Sequence, residues 1–252
     1  MTDQAIPREL VNFRAVTGVT ADGKRLRPGS LYRSAGLDQI GAPGRLHLHD
    51  LGVYTVLDLR TAEEMSLRAN DLAGLGIAEV RVPLVVDLDG SATKAVREST
   101  DPLLTLEWFY EDIVENAADG LREVFDTLTH VESPVVLVCT AGKDRTGVVV
   151  ALLQLALGIQ LNDVIAGYAE SEAQLNADWI ATVIERFESL GMTIPPEATG
   201  IFTMSPPSVM LRLVETITDR YGSMAQYFEH IGISHRVQTI LRGEFLEDHE
   251  AS

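Results

Sequence analysis

The most constraining stretch of the chain runs Pro134-Val135-Val136-Leu137-Val138-Cys139-Thr140-Ala141-Gly142-Lys143-Asp144-Arg145-Thr146-Gly147, and six apolar residues follow it. The short apolar run after a proline turn signal predicts a buried strand at Val135–Val138. The second apolar run continues to Gly158, a helix-stopping glycine, and predicts a helix from about Thr146. A tight loop must therefore join a buried strand to a helix start. Backbone amides in such a place gather an anion.

The flanking sequence extends the same pattern. Residues 53–60 predict a strand ending in polar residues, and Thr61-Ala62-Glu63-Glu64 a capped helix start with acids in its first turn. Residues 78–86 predict another strand. Strands separated by helical segments point to an α/β fold with a mainly parallel sheet flanked by helices. One long helix is expected over about 103–129, since Leu106, Tyr110, Ile113, Val114, Leu121, Val124 and Phe125 share a face. Beyond Gly158 the chain is expected to be largely helical, over 162–170, 171–190, 206–221, 224–231 and 234–242. Gly191, Gly222 and Gly232 stand where helix C-caps belong. Residues 87–101 are polar and are expected to form a mobile, function-bearing loop. With no long linker, residues 1–252 are expected to form one domain.

Charge narrows the function. Twenty Lys and Arg against 37 Asp and Glu leave a net charge of −17. Such a surface repels nucleic acid and anionic membranes, so an anionic ligand needs a strong local positive site. A lone cysteine excludes an internal disulfide and a multi-cysteine zinc site. No basic-then-apolar leader opens the sequence, and the apolar run 148–153 is too short to span a bilayer. A cytoplasmic protein without stable membrane insertion is expected, although signal-less export would leave no trace in the sequence.

The loop supplies the local positive site. A free thiol is mostly protonated at neutral pH, but cations and a helix N-terminus shift thiols toward the thiolate nucleophile. Lys143, Arg145 and the loop amides could do this for Cys139. A phosphate dianion could sit in the same cradle, two of its oxygens gripped by the Arg145 guanidinium.

Together Cys139-Thr140-Ala141-Gly142-Lys143-Asp144-Arg145-Thr146-Gly147 resembles the phosphate-binding loop (P-loop) of the cysteine-dependent protein tyrosine phosphatases. AGKDRTG is similar in particular to the bacterial tyrosine/serine phosphatases of broad specificity, some of which also act on phosphoinositides. Asn12-Phe13-Arg14, Leu31-Tyr32-Arg33-Ser34 and Asp58-Leu59-Arg60 resemble further elements of that family, and Tyr221-Gly222-Ser223 its C-terminal region. The resemblance implies Cys139 as nucleophile and Arg145 as phosphate clamp. Thr140, Ala141, Gly142, Lys143, Asp144, Thr146 and Gly147 would complete the substrate site. Thr146 would bond the sulfur, and Lys143 would meet extra negative charge on a substrate. It also implies a general acid on the loop after the second strand, at Asp87 or, two residues on, Asp89, with Asp87 preferred. Phosphorylated proteins or phosphoinositides are the implied partners, with no metal or other cofactor.

Two residues depart from the family pattern. Val138 stands where histidine usually precedes the cysteine, and Ala15 replaces an aspartate after Asn12-Phe13-Arg14. Arg14, Arg33 and Arg60 are expected to brace the sheet ends. Gly142-Lys143 does not make a nucleotide-binding motif, because Leu137 and Asp144 occupy places that require Gly and Ser or Thr. Residues 85–91 resemble the first motif of the haloacid-dehalogenase phosphatases. The Gly-Asp or Ser-Asp element those enzymes add is absent from the chain.

Overall fold

The computed structural model describes residues 5–84, 101–175, 177–189 and 196–248. Its centre is a five-stranded sheet in the order β1-β3-β6-β4-β5. The strands are β1 (Arg14–Ala15), β3 (Leu31–Ser34), β6 (Val135–Val138), β4 (Thr55–Asp58) and β5 (Ala78–Arg81). Pairing is parallel throughout except at the β1 edge. Strand β6, predicted residue for residue, is the middle strand and is buried on both faces, as its unbroken Val/Leu run requires.

Register does the positioning. Ser34 pairs with Val138 and Val138 with Asp58, so three strands end in one row. The residues that follow them, Ala35, Cys139 and Leu59, therefore emerge together at the carboxyl edge of the sheet. Ligands of open parallel sheets bind there.

Side chains on β6 alternate between two cores. Val135, Leu137 and Cys139 join the larger, helical-side cluster, whereas Val136 and Val138 join a smaller one with Leu10, Phe13, Tyr32 and Leu48. The smaller cluster includes Leu48 of helix α1 (Gly41–Asp50), and helix α2 (Ala62–Leu67) follows β4. Between the central sheet and the C-terminal helices lies α5 (Asp144–Leu157), buried continuously from Thr146 to Gln154 and closed by Gly158 at φ 84°. Packing on all sides explains why this helix is apolar all round.

Two expectations change at helix boundaries. The long helix is divided into α3 (Pro102–Asn116) and α4 (Ala118–Leu128) around Ala117, at φ −101° and ψ 25°. Tyr227 donates its hydroxyl to the carbonyl of Val114, which an unbroken helix would offer to residue 118. The apolar stripe continues across the break, so periodicity alone could not reveal it. The 171–190 segment likewise divides into α7 (Ser171–Gln174) and α8 (Ala177–Ser189), with Leu175 out of helical conformation between them. The remaining helices are α6 (Leu161–Ala169), α9 (Pro207–Tyr221), α10 (Met224–His230) and α11 (His235–Phe245). Gly222 and Gly232 end α9 and α10 at φ 87° and 82°. A short antiparallel pair, β2 (Lys24–Leu26) with β7 (Leu246–Asp248), ties the last helix back to the N-terminal region. Among the described residues no helix is long and apolar enough to cross a membrane. The expected 87–101 loop lies outside the described residues, save Asp101, which caps α3.

Leu137 is fully buried in the middle strand. Leu137→Ala should lower the unfolding free energy by about 2–5 kcal/mol, as cavity-forming core changes do. Urea titration followed by circular dichroism will measure this.

Candidate active site

Four consecutive loop carbonyls are held by protein donors. Thr140 O accepts from the Gly36 amide at 3.3 Å, and Ala141 O from Asn12 Nδ2 at 2.9 Å. Arg33 Nη2 reaches Gly142 O at 2.7 Å and Lys143 O at 3.3 Å. By contrast, the amides of residues 140–143 donate to no protein acceptor among the described residues. A loop with tied carbonyls and unspent amides is a preorganised anion cradle.

Its shape depends on Gly142. This residue has φ +64°, and a Cβ there would lie 2.3 Å from both the carbonyl carbon and oxygen of Ser34. Both the conformation and the close approach demand glycine.

The bracing donors are themselves fixed. Asn12 stands at φ 55°, a conformation asparagine tolerates. Arg14 Nη1 donates to the Asn12 side chain, while its Nη2 holds Gly167 O and Ser171 Oγ, each at 2.8 Å. Burial, aided by the neighbouring Arg33 charge and opposed by Glu170, lowers the Arg14 pKa to about 9. Burial likewise lowers that of Arg33, against the opposing influence of Cys139. Arg60 grips Asp58 through Nη2–Oδ2 at 2.6 Å and both Nε contacts, and Asn70 completes the cluster. All three arginines thus brace the strand ends, as expected.

Cys139 lies at the base of the loop and is 2% exposed. Arg145, on the first turn of α5, makes a bidentate pair with Glu64: Nη1–Oε2 at 2.7 Å and Nη2–Oε1 at 2.6 Å. Its Nη2 also donates to Thr140 Oγ1 at 3.0 Å, whose hydroxyl in turn donates to Glu64 Oε1 at 2.6 Å. Arg145 Nε has no partner among the described residues. Burial disfavours the Glu64 carboxylate, but the hydrogen bonds and charge of Arg145, with help from Thr140 and Thr61, outweigh it and hold the pKa at about 2. The same pairing, also against burial, raises the pKa of Arg145.

Glu64 is the functional residue that sequence reading passed over. Its visible role was the capping box, which the structure contains: Thr61 Oγ1 accepts from the Glu64 amide, and Glu64 Oε2 from the Thr61 amide. The second role, orienting Arg145 from 81 residues away, has no local signature.

The other loop residues take different places. Thr146 is fully buried beneath the loop, and its hydroxyl has no partner among the described residues. Gly147 sits 3.4 Å, measured from a notional Cβ, from Arg33 Nη2, leaving room for that guanidinium. Asp144 accepts from Tyr110 OH at 2.9 Å, and Tyr110 meets Tyr168 OH at 3.0 Å. Lys143 departs from its expected role. Its side chain is fully buried, and its ammonium contacts the carbonyls of Ile201 and Met204. Asp87 and Asp89 lie outside the described residues.

Beside the loop opens a cleft of about 450 Å3, bounded by Thr140, Glu64, Asn12, Leu10 and Trp179 among others. Its arginines are matched by acids: Arg8 by Glu9 at 3.5 Å, Arg60 by Asp58 and Arg68 by Asp38 at 2.5 Å.

Comparison with known proteins points the same way. A model of the tyrosine phosphatase family matches residues 7–247. The chain is 28% identical over 273 residues to the triple specificity protein phosphatase PtpB of Mycobacterium tuberculosis, covering 93% of this chain and 96% of that one. It is 32% identical over 190 residues to a chain of Cupriavidus necator described as a tyrosine-protein phosphatase, covering 72% and 67% respectively. The core catalytic domain of the PP-IP phosphatase SIW14 from S. cerevisiae, solved with citrate, aligns at TM-score 0.37 and 14% identity. That alignment covers 81% of this chain and 91% of that one.

Two outcomes follow from this geometry. Gly142→Ala should abolish phosphate binding, measured by isothermal titration with orthophosphate, because Ser34 cannot move without opening the sheet edge. Glu64 titrates at about 2 in the folded chain against 4.5 ordinarily. Folding therefore favours its ionised form, and the stability it adds is complete above about pH 4.5 and lost as pH falls toward 2. Glu64→Gln should accordingly be less stable than wild type at pH 6, the gap narrowing steadily below pH 4.5 in urea titrations.

Proposed function

The chain belongs to the tyrosine phosphatase family and is a phosphatase; we propose that it hydrolyses phosphomonoesters, phosphotyrosine first among them, through a cysteinyl-phosphate on Cys139. The observation that carries this reading is the loop itself, four carbonyls tied down and the amides beside Cys139 unspent. We take residues 1–252 as one such domain. A buried, unpaired thiol suits the reducing cytoplasm.

In the first step Cys139 Sγ attacks phosphorus in line, the S–P bond forms and the P–O bond to the leaving group breaks. The equatorial oxygens lie on the loop amides of residues 140–143 and on Arg145. Arg145 offers its unpartnered Nε, and an entering oxygen displaces Thr140 from Nη2 while Glu64 keeps the guanidinium in plane. Asp87 gives its proton to the departing phenolate, with Asp89 the alternative. Water then attacks phosphorus, the same carboxylate takes its proton, and orthophosphate and thiolate separate. The Thr146 hydroxyl, buried without another partner, supplies a hydrogen bond to the departing sulfur. Asp144 acts at one remove, through Tyr110. The guanidinium and amides balance the phosphate charge, so no step calls for a metal ion.

Phosphotyrosine is preferred because Leu10 and Trp179 both line the cleft, and two of its arginines, Arg60 and Arg68, are paired with Asp58 and Asp38. The triple specificity in the name of the Mycobacterium tuberculosis relative supports phosphoserine/threonine peptides and phosphoinositides as further candidates.

Phosphate release from a phosphotyrosine peptide in EDTA tests the reading. Wild type should turn over, Cys139→Ser should lose more than about a thousandfold in kcat, and acid-quenched wild type should carry one labelled phosphate per chain. Undiminished turnover by Cys139→Ser would remove the thiol from the mechanism.

A further inference from the structure

We infer that Lys143 is a positioning residue: its buried ammonium bolts the catalytic loop to the turn at 200–205 and does not meet the substrate. An ammonium has three donors. The ammonium of Lys143 donates to Ile201 O at 2.6 Å and to Met204 O at 3.0 Å, and it makes an ion pair with Asp144 Oδ1 at 3.3 Å. The residue is 0% exposed. To reach a phosphate in the loop, the ammonium would have to leave two carbonyls and a carboxylate oxygen, a costly exchange in a buried site.

The far end of the bolt is anchored. Within the turn, Met204 N donates to Gly200 O at 2.8 Å, and Ser205 N to Glu172 Oε2 at 3.1 Å. Ser205 Oγ donates to Ala169 O at 3.1 Å. At the near end, Lys143 is the N-cap of α5, and its own carbonyl accepts from Arg33 and from the Gly147 amide. Asp144 carries the connection on to Tyr110 and Tyr168. One cation thereby joins the loop to α3, α6 and the C-terminal turn. It sets where the loop amides point and leaves the reading of a substrate's second charge to other groups.

The inference about catalysis rests on the phosphatase reading above; the burial of the ammonium does not, so two measurements separate them. In the first, native wild type is reductively methylated and mapped by mass spectrometry, with and without 10 mM (on the order of a saturating level) orthophosphate. Lys24 should be modified and Lys143 protected in both conditions until the chain is denatured. Ready methylation of Lys143 in the native protein would overturn the inference. In the second, Lys143→Met is compared with wild type on a phosphotyrosine peptide and a short-chain phosphoinositide. Per folded molecule, kcat should fall about tenfold or more on both by a common factor, with each KM within about twofold of wild type. A KM rise confined to the phosphoinositide would make Lys143 a charge reader, and an unchanged kcat would leave it merely stabilising; either result defeats the proposal. Should Lys143→Met not fold, the methylation result decides. Should wild type release phosphate from neither substrate, the functional reading fails while the methylation result still stands.

Discussion

The site depends on one contact: the backbone of Gly142 lies against Ser34 and Ala35, closer than any side chain permits. That approach sets the catalytic loop over the end of the neighbouring strand. There the Gly36 amide, Asn12 and Arg33 can reach successive carbonyls. Once these are held, the amides of residues 140–143 have no protein acceptor among the described residues. The anion site is thus a by-product of how the carbonyls are disposed of, more than of any residue that faces the ligand.

A chain of net charge −17 must still attract a phosphate. It does so by moving its cations inward. Arg14, Arg33 and Arg60 are 9%, 2% and 3% exposed, and each spends its guanidinium on backbone carbonyls or a carboxylate. Low dielectric surroundings strengthen these bonds and make the framework stiff. In Arg145 the two terminal nitrogens are held by the carboxylate of Glu64, and Nε has no partner among the described residues. The acidic surface and the cationic interior are therefore compatible, one governing long-range encounter and the other local geometry.

Sequence alone displayed what is contiguous or periodic. Strand β6, the helix after it and the run from Cys139 to Gly147 are local, and the family resemblance of the loop covered the same residues. Arg14, Arg33 and Arg60 were expected to brace the sheet ends, and each stands within two residues of one. Glu64 was hidden behind its own capping box, which explained it fully at short range. The partners of Lys143 were hidden for the opposite reason: its neighbours in the motif suggest a ligand, whereas the carbonyls it meets stand 58 and 61 residues downstream. Tyr110 was visible only as one position on an apolar face, since its bond to Asp144 depends on how α3 packs. The division of the 103–129 helix falls where the distant hydroxyl of Tyr227 takes up the carbonyl of Val114, a contact with no local signature.

The alternation of β6 separates chemistry from packing. Position 138 points away from Cys139, into the smaller core with Phe13, Tyr32, Leu48 and Val136. A side chain there is judged first by its fit among apolar neighbours and only afterwards by any service to the loop. Valine fills that space with no polar atom to satisfy, and the surrounding residues have settled around it. A histidine at this position would set an imidazole among apolar side chains, where its ring nitrogens need partners. The two faces of one strand thus carry separate duties: one delivers the cysteine to the loop, and the other fills the smaller core.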